Sequence, residues 1–155
     1  MSISLNINGE DRLYHGDPRT SLLDVLRDTY RMTGAKSVCS AGFCGACMVH
    51  VDGVAVPACL RPVGLLDGAA IITIEGAAPL DTPSALQAAF AEHDVVQCGM
   101  CFPGMVMSLT AFLRDTPAPS RAEVKTAMVG NLCRCTGYER IIDAVMSLQD
   151  TESAA

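Results

Sequence analysis

No stretch of 18 consecutive apolar residues occurs in this sequence, so no segment is long enough to cross a bilayer as a helix. Lys and Arg are scattered, and the net charge is −6, so a phosphate backbone would find no basic stripe to follow, and nucleic-acid binding is excluded. The start, Met-Ser-Ile-Ser-Leu-Asn, lacks a basic segment ahead of an apolar one and lacks twin arginines; the expectation is a soluble, cytoplasmic protein. Histidine is sparse too. His15, His50 and His93 stand singly and read as surface or hairpin residues, not metal ligands. Charged residues make up only 18% and apolar residues 50%, which excludes disorder and leaves enough apolar surface for one core or for two units of about 75 residues each.

Two periodicities divide the chain. Ile3, Leu5 and Ile7 alternate with polar residues before Asn8-Gly9, a pair suited to the positive backbone angles of a two-residue hairpin leading into residues 12–14. Ser21 and Asp24 form a capping box for a helix whose face carries Leu22, Leu23, Leu26 and Tyr30. A second hairpin is predicted around Asp52-Gly53, between Val49/Val51 and Val54/Val56, and residues 71–74 read as a further strand. Beyond Pro79 the period becomes helical. Thr82-Pro83 would start a helix bearing Leu86, Ala89 and Phe90, and residues 103–114 form a second with almost no polar face, implying burial on several sides. Ser120/Glu123 and Thr136/Glu139 would cap a third and a fourth, and residues 150–155 read as a loose tail. The fold class is therefore α+β: a sheet domain over residues 1–77, then four helices forming a bundle over 78–155, the boundary falling near residues 76–82.

The chemistry lies in eight cysteines, which in a reducing compartment point to metal and not to disulfides. Cys39-x4-Cys44-x2-Cys47 followed by Cys59 has the spacing of a plant-type [2Fe–2S] ferredoxin site. Such a centre with four thiolates is formally a dianion and gains a further negative charge on reduction, so it needs donors nearby. Gly42 and Gly45 let the loop wrap tightly and aim backbone N–H groups at the sulfurs. Cys98-x2-Cys101 with Cys133-x-Cys135 makes a second set, each pair next to a predicted helix start whose free N–H groups favour an anion. Taken alone, this set also admits a four-cysteine zinc site, although zinc pairs are ordinarily separated by two to four residues and Cys133-x-Cys135 by one. With two complete sets no cysteine is left for nucleophilic catalysis. Gly34-Ala-Lys-Ser resembles the end of a phosphate-binding loop, but Ala35 and Tyr30 stand where that loop needs glycine.

Three motifs together resemble a family: Gly34-Ala-Lys-Ser-Val-Cys39-Ser-Ala-Gly-Phe-Cys44-Gly-Ala-Cys47, Gln97-Cys98-Gly-Met-Cys101-Phe-Pro-Gly-Met-Val-Met-Ser108, and Gly130-Asn-Leu-Cys133-Arg-Cys135-Thr-Gly-Tyr138. They are similar to the iron–sulfur small subunit of molybdenum hydroxylases, the xanthine dehydrogenase and aldehyde oxidoreductase family. The resemblance implies a ferredoxin-like (β-grasp) domain holding one [2Fe–2S] cluster and a four-helix bundle holding another. It implies electron transfer without substrate binding, from a molybdopterin cofactor on a large subunit to FAD on a medium subunit or to another acceptor, in a possible dimer of heterotrimers. Gln97 and Cys135 would lie against the pterin. Val38 and Ser40 replace glycines usual beside the first cysteine, Ala35 replaces a threonine, and Phe102 stands where threonine is common. These departures bear on loop conformation and reduction potential. A free-standing ferredoxin-like carrier and a zinc-structured interaction module are the competing functions. Metal analysis separates them: the chain is expected to hold about four iron atoms and about four acid-labile sulfides, and a colourless zinc-loaded protein would overturn the cluster assignment.

Overall fold

The computed structural model describes residues 2–79 and 81–152. Strands β1 (Ile3–Ile7) and β2 (Glu10–Tyr14) form an antiparallel hairpin, closed by Asn8 and Gly9 at φ of 54° and 85°. Helix α1 begins at Leu22–Asp24, capped by the Ser21 hydroxyl on the Asp24 N–H, and continues as a wider π-helical turn over Val25–Thr29. A second hairpin pairs β3 (Met48–Val51) with β4 (Val54–Pro57) through Asp52 and Gly53, again at positive φ. Strand β5 (Ala70–Ile72) lies between the hairpins, parallel to β1 and antiparallel to β3, which gives the sheet order β2-β1-β5-β3-β4. Alternation along β1 sends Ile3, Leu5 and Ile7 into a core shared with Leu22, Leu23 and Leu26.

The predicted strand over residues 71–74 is shorter than expected. Thr73 is fully buried and donates its N–H to the Asn8 side chain, and the backbone then coils into a 3₁₀ turn over Ile74–Gly76. Four helices follow: α2 (Ala85–Glu92), α3 (Phe102–Asp115), α4 (Arg121–Ala127) and α5 (Glu139–Glu152). The expected cap at Thr82-Pro83 is displaced by two residues. Ser84 and Gln87 supply a reciprocal capping box, satisfying two end donors at once, which Thr82 cannot do. Ser120/Glu123 caps α4 as expected. The predicted tail over 150–155 is corrected in part, since α5 runs through Glu152; residues 153–155 lie outside the described residues. A second core gathers Leu86, Phe90, Met105, Leu109, Val124, Ile141 and Val145. This is an α+β protein, and among its described residues no helix is long and apolar enough to cross a membrane.

The burial of α3 on several sides has its cause here. One flank of the helix packs in the helical core and another lies on β3 and β4. His50 Nε2 lies 2.8 Å from the Met107 carbonyl, and Arg114 donates to the Gly53 carbonyl at 2.8 Å. The approach is tightest at Gly104, where an added Cβ would collide with the Gly45 carbonyl. Backbone cannot retreat as a flexible side chain can. Gly104→Ala should therefore lower stability by about 1–3 kcal/mol, and the melting temperature by roughly 3–10 °C. Gly130→Ala, where an added Cβ meets nothing within 4 Å, should leave both within error; thermal unfolding of the two variants side by side is the check.

Candidate metal centres

The first cysteine loop leaves the sheet before β3 and is shaped by three residues in the left-handed region: Ser40 (φ 50°), Gly42 (φ 78°) and Gly45 (φ 66°). At Gly42 a Cβ would strike the Leu60 side chain, and at Gly45 it would strike the Gly130 carbonyl and the Asn131 amide, so each glycine answers to close packing as well as to φ. Ser40 adopts the left-handed backbone conformation that suits glycine, and its hydroxyl lies 3.4 Å from that of Ser37. Ala35 is buried in the sheet core, whereas Val38 is 54% exposed.

The loop does turn N–H groups toward sulfur. Ala41 donates to Cys39 Sγ at 3.4 Å, and this N–H, with the Cys44 thiol and the N–H groups of Cys44 and Phe43, pulls the Cys39 thiol down to about 6. Burial does the opposite to Cys47, pushing it up to about 11, with Cys59 alongside. The four thiols are thus drawn together two by two, Cys39 with Cys44 and Cys47 with Cys59.

The second set repeats the arrangement on a helical frame. Cys101 occupies the N-cap of α3, and Cys98 precedes it across Gly99 (φ 80°). Cys98 and Cys135 are exposed, with sulfurs 3.5 Å apart; Cys101 and Cys133 form the inner pair. Burial, followed by the Cys133 thiol, pushes Cys101 up to about 12, while the Met100 N–H pulls Cys98 down. At Cys133 burial acts upward, but the hydroxyl and N–H of Thr136 outweigh it and leave the thiol below its usual value. As thiolate ligands, the buried members of each set would release their protons to solvent as iron binds.

Thr136 does not serve the capping box expected of it. Its hydroxyl donates to Cys133 Sγ at 3.1 Å and accepts from the Tyr138 N–H, while Glu139 turns away to Arg121 and Lys125. The hydroxyl thus still meets one N–H near the helix start, that of Tyr138, while its own proton goes to sulfur. Tyr138, at φ 70°, accepts from the Cys133 N–H at 2.9 Å and donates to the Asn131 carbonyl at 3.2 Å. Phe102 stacks obliquely on Phe90, with ring centroids 5.8 Å apart, and both rings line a recess behind Cys98, Cys101, Cys133 and Cys135. Gln97 borders the same recess; it is exposed and bonds to none of the described residues. Arg134 is exposed and lines a separate cavity beside Cys133 and Cys135. His50 Nε2 is taken up by the Met107 carbonyl of α3.

Among the described residues no three His, Cys, Asp or Glu side chains converge as one ion would require. Four thiols in two pairs are a donor set that a [2Fe–2S] centre can use, with two thiolates on each iron. The two sets also meet. Cys39 and Cys44 of the first and Cys98, Cys101, Cys133 and Cys135 of the second line one cavity of about 350 Å³, and the Leu132 N–H donates to the Cys44 carbonyl at 2.9 Å.

Comparisons with known proteins agree with this division. A profile described as a 2Fe-2S iron–sulfur cluster binding domain matches residues 5–69, and one described as a [2Fe-2S] binding domain matches residues 73–146. The chain is 46% identical to the nicotinate dehydrogenase small FeS subunit of Eubacterium barkeri, over 94% of this chain and 92% of that one. It superposes with a TM-score of 0.93 on quinoline 2-oxidoreductase from Pseudomonas putida 86, at 43% identity, covering 99% of this chain and 95% of that one. Against the aldehyde oxidoreductase of Desulfovibrio desulfuricans the TM-score is 0.92 at 37% identity, covering 99% of this chain and 17% of that longer one. The bond from Thr136 to Cys133 gives a direct test. In the reconstituted full chain, Thr136→Val should lower the reduction potential of one of two cluster signals by about 40 mV, the one-electron equivalent of a hydrogen bond that strengthens by ~1 kcal/mol on reduction. Thr136→Ser, which keeps the hydroxyl, should titrate like wild type in the same electron-paramagnetic-resonance (EPR) monitored experiment.

Proposed function

We propose, for a chain that belongs to the iron–sulfur subunits of the molybdenum hydroxylase family, that it is the non-catalytic electron-transfer subunit of a molybdenum-containing hydroxylase or dehydrogenase. Cys39, Cys44, Cys47 and Cys59 would hold one [2Fe–2S] cluster in a ferredoxin-like (β-grasp) domain, residues 1–77. Cys98, Cys101, Cys133 and Cys135 would hold the other in a four-helix bundle domain, residues 78–155. When bound, such clusters supply one-electron carriers whose potentials respond to hydrogen bonds and exposure.

The observation that carries this reading is the common cavity. Thiols from both sets line it, Cys39 and Cys44 from the first and all four of the second, so the two centres would border one cavity. A zinc-structured module would have no use for such proximity, and a lone ferredoxin-like carrier no use for the second set. The outward members, Cys98 and Cys135, lie at the surface beside Gln97, where the cofactor of another subunit could approach.

By the family resemblance, electrons would enter from the molybdopterin centre of a large subunit at the helical end and leave from the ferredoxin-like end to FAD on a medium subunit or to another acceptor. The relatives support a subunit role. One is named as a small FeS subunit, and in another this fold occupies 17% of a longer chain. A dimer of heterotrimers in the cytoplasm remains part of the same reading.

The Gln97 amide both donates and accepts, which matches the edge of a pterin, and it bonds to none of the described residues. The Cys135 sulfur would accept from the same ligand. Purifying the native complex should bring down a large molybdopterin-containing chain; a free monomer would defeat the subunit reading. In that complex Gln97→Ala should keep full iron while losing at least half of its molybdenum and pterin or delivering electrons several-fold more slowly. Full molybdenum with a wild-type rate of cluster bleaching on adding substrate would rule out this role for Gln97.

A further inference from the structure

Asn131 is one of three buried polar residues among those described, 4% exposed. An amide survives burial when its donors and acceptors are met. Its Nδ2 donates to the Gly45 carbonyl at 3.2 Å, across 86 positions of sequence and between the two cysteine sets. Its own carbonyl accepts from the Tyr138 hydroxyl, and its N–H goes to the Met128 carbonyl, so the residue is held from both sides before it reaches out. The next N–H, that of Leu132, takes the Cys44 carbonyl. Loop 131–132 therefore grips two successive peptides of the first cysteine loop, at the point where Gly45 adopts positive φ and leaves no room for a Cβ.

The hydrogen bonds made directly to Cys133 come from within the helical half: Thr136 and Tyr138 bond to Cys133, and the Asn131 carbonyl holds Tyr138. The first set borrows its brace from outside its own fold. Asn131 lies two residues before Cys133, yet its side chain serves the loop of Cys44 and Cys47.

We propose that Asn131 is a positioning residue for the first cluster, holding the peptide between Cys44 and Cys47 so that this loop closes on its metal only with the helical half folded against it. The proposal rests on the reading of Cys39, Cys44, Cys47 and Cys59 as cluster ligands. Removing the donor leaves the Gly45 carbonyl buried and without its side-chain partner, and the loop opens more often. Iron held by the first set then becomes more accessible, while the second set keeps its own hydrogen bonds.

The test uses the full chain carrying both clusters, with the first-cluster signal assigned by its loss in Cys59→Ser. Asn131→Ala and Asn131→Leu, the second of which conserves volume without a donor, should release iron from the first set to a chelator about ten times faster than wild type. The EPR line shape of the first cluster should change in both variants while that of the second stays put. An unchanged first-cluster signal with wild-type release, or a change confined to the second cluster, overturns the proposal. Loss of both clusters in both variants, with helical circular dichroism lost as well, makes Asn131 a folding residue of the helical half and overturns it equally. A wild-type chain that binds no [2Fe–2S] centre would instead sink the ligand reading itself.

Discussion

The carbonyl of Gly45 is the contact on which the rest of the molecule turns. It accepts from the Met48 N–H within its own loop and from Asn131 across the chain, and the backbone of α3 lies against it at Gly104. None of these approaches tolerates a side chain at either glycine. Because loop and helix meet backbone to backbone, α3 can lie on β3 and β4 with the first cysteine loop over its N-terminal turn, and Cys101 at that N-cap faces the same cavity as Cys44. The sharing of one cavity by the two cysteine sets is thus a consequence of close packing at two glycines.

An acidic chain with a net charge of −6 has to accommodate two further anionic centres. Long-range attraction cannot do this, since bulk charge has the wrong sign. The compensation is local and dipolar: the N–H groups of Ala41, Met100 and Thr136, with the Thr136 hydroxyl, point at Cys39, Cys98 and Cys133. The cation nearest by sequence, Arg134, stays exposed. Fixed backbone dipoles cost no side-chain entropy to aim and keep their orientation when the charge of a centre changes.

Local rules made much of this legible from sequence. Asn8-Gly9 and Asp52-Gly53 specify hairpins because the turn type demands positive φ at both positions, and Ser120/Glu123 specifies a helix start through two reciprocal bonds within four residues. The cysteine spacings and the family motifs gave the division into two cluster-binding units. What stayed hidden was set by distant partners. Thr136 has the spacing of a capping box, but Glu139 is taken by Arg121 and Lys125 and the Thr136 hydroxyl bonds to the Tyr138 N–H and to Cys133 Sγ. Thr73 would extend β5 if Asn8 did not take its N–H. Asn131 reads as an ordinary polar residue before Cys133, and only the folded chain brings it to Gly45, 86 positions away. The π-helical turn of α1 likewise has no signature in its Leu-rich face.

Ser40 shows how a departure from the family pattern can be absorbed. A residue with a Cβ in the left-handed region costs roughly 1–2 kcal/mol, so replacing glycine here is unfavourable taken alone. The backbone nevertheless stays at φ 50°, because the neighbouring positions leave no other route: Gly42 is pressed against Leu60, Gly45 against Asn131, and Cys39 Sγ must meet the Ala41 N–H one residue beyond Ser40. Loop shape is therefore imposed by its contacts, not by the flexibility of each position. Serine is among the smaller side chains that can bear this conformation, and its hydroxyl finds Ser37 at 3.4 Å. Ligand binding at structural metal sites is worth on the order of 10 kcal/mol, so a strain of this size can persist in a loop whose stability comes mainly from what it holds.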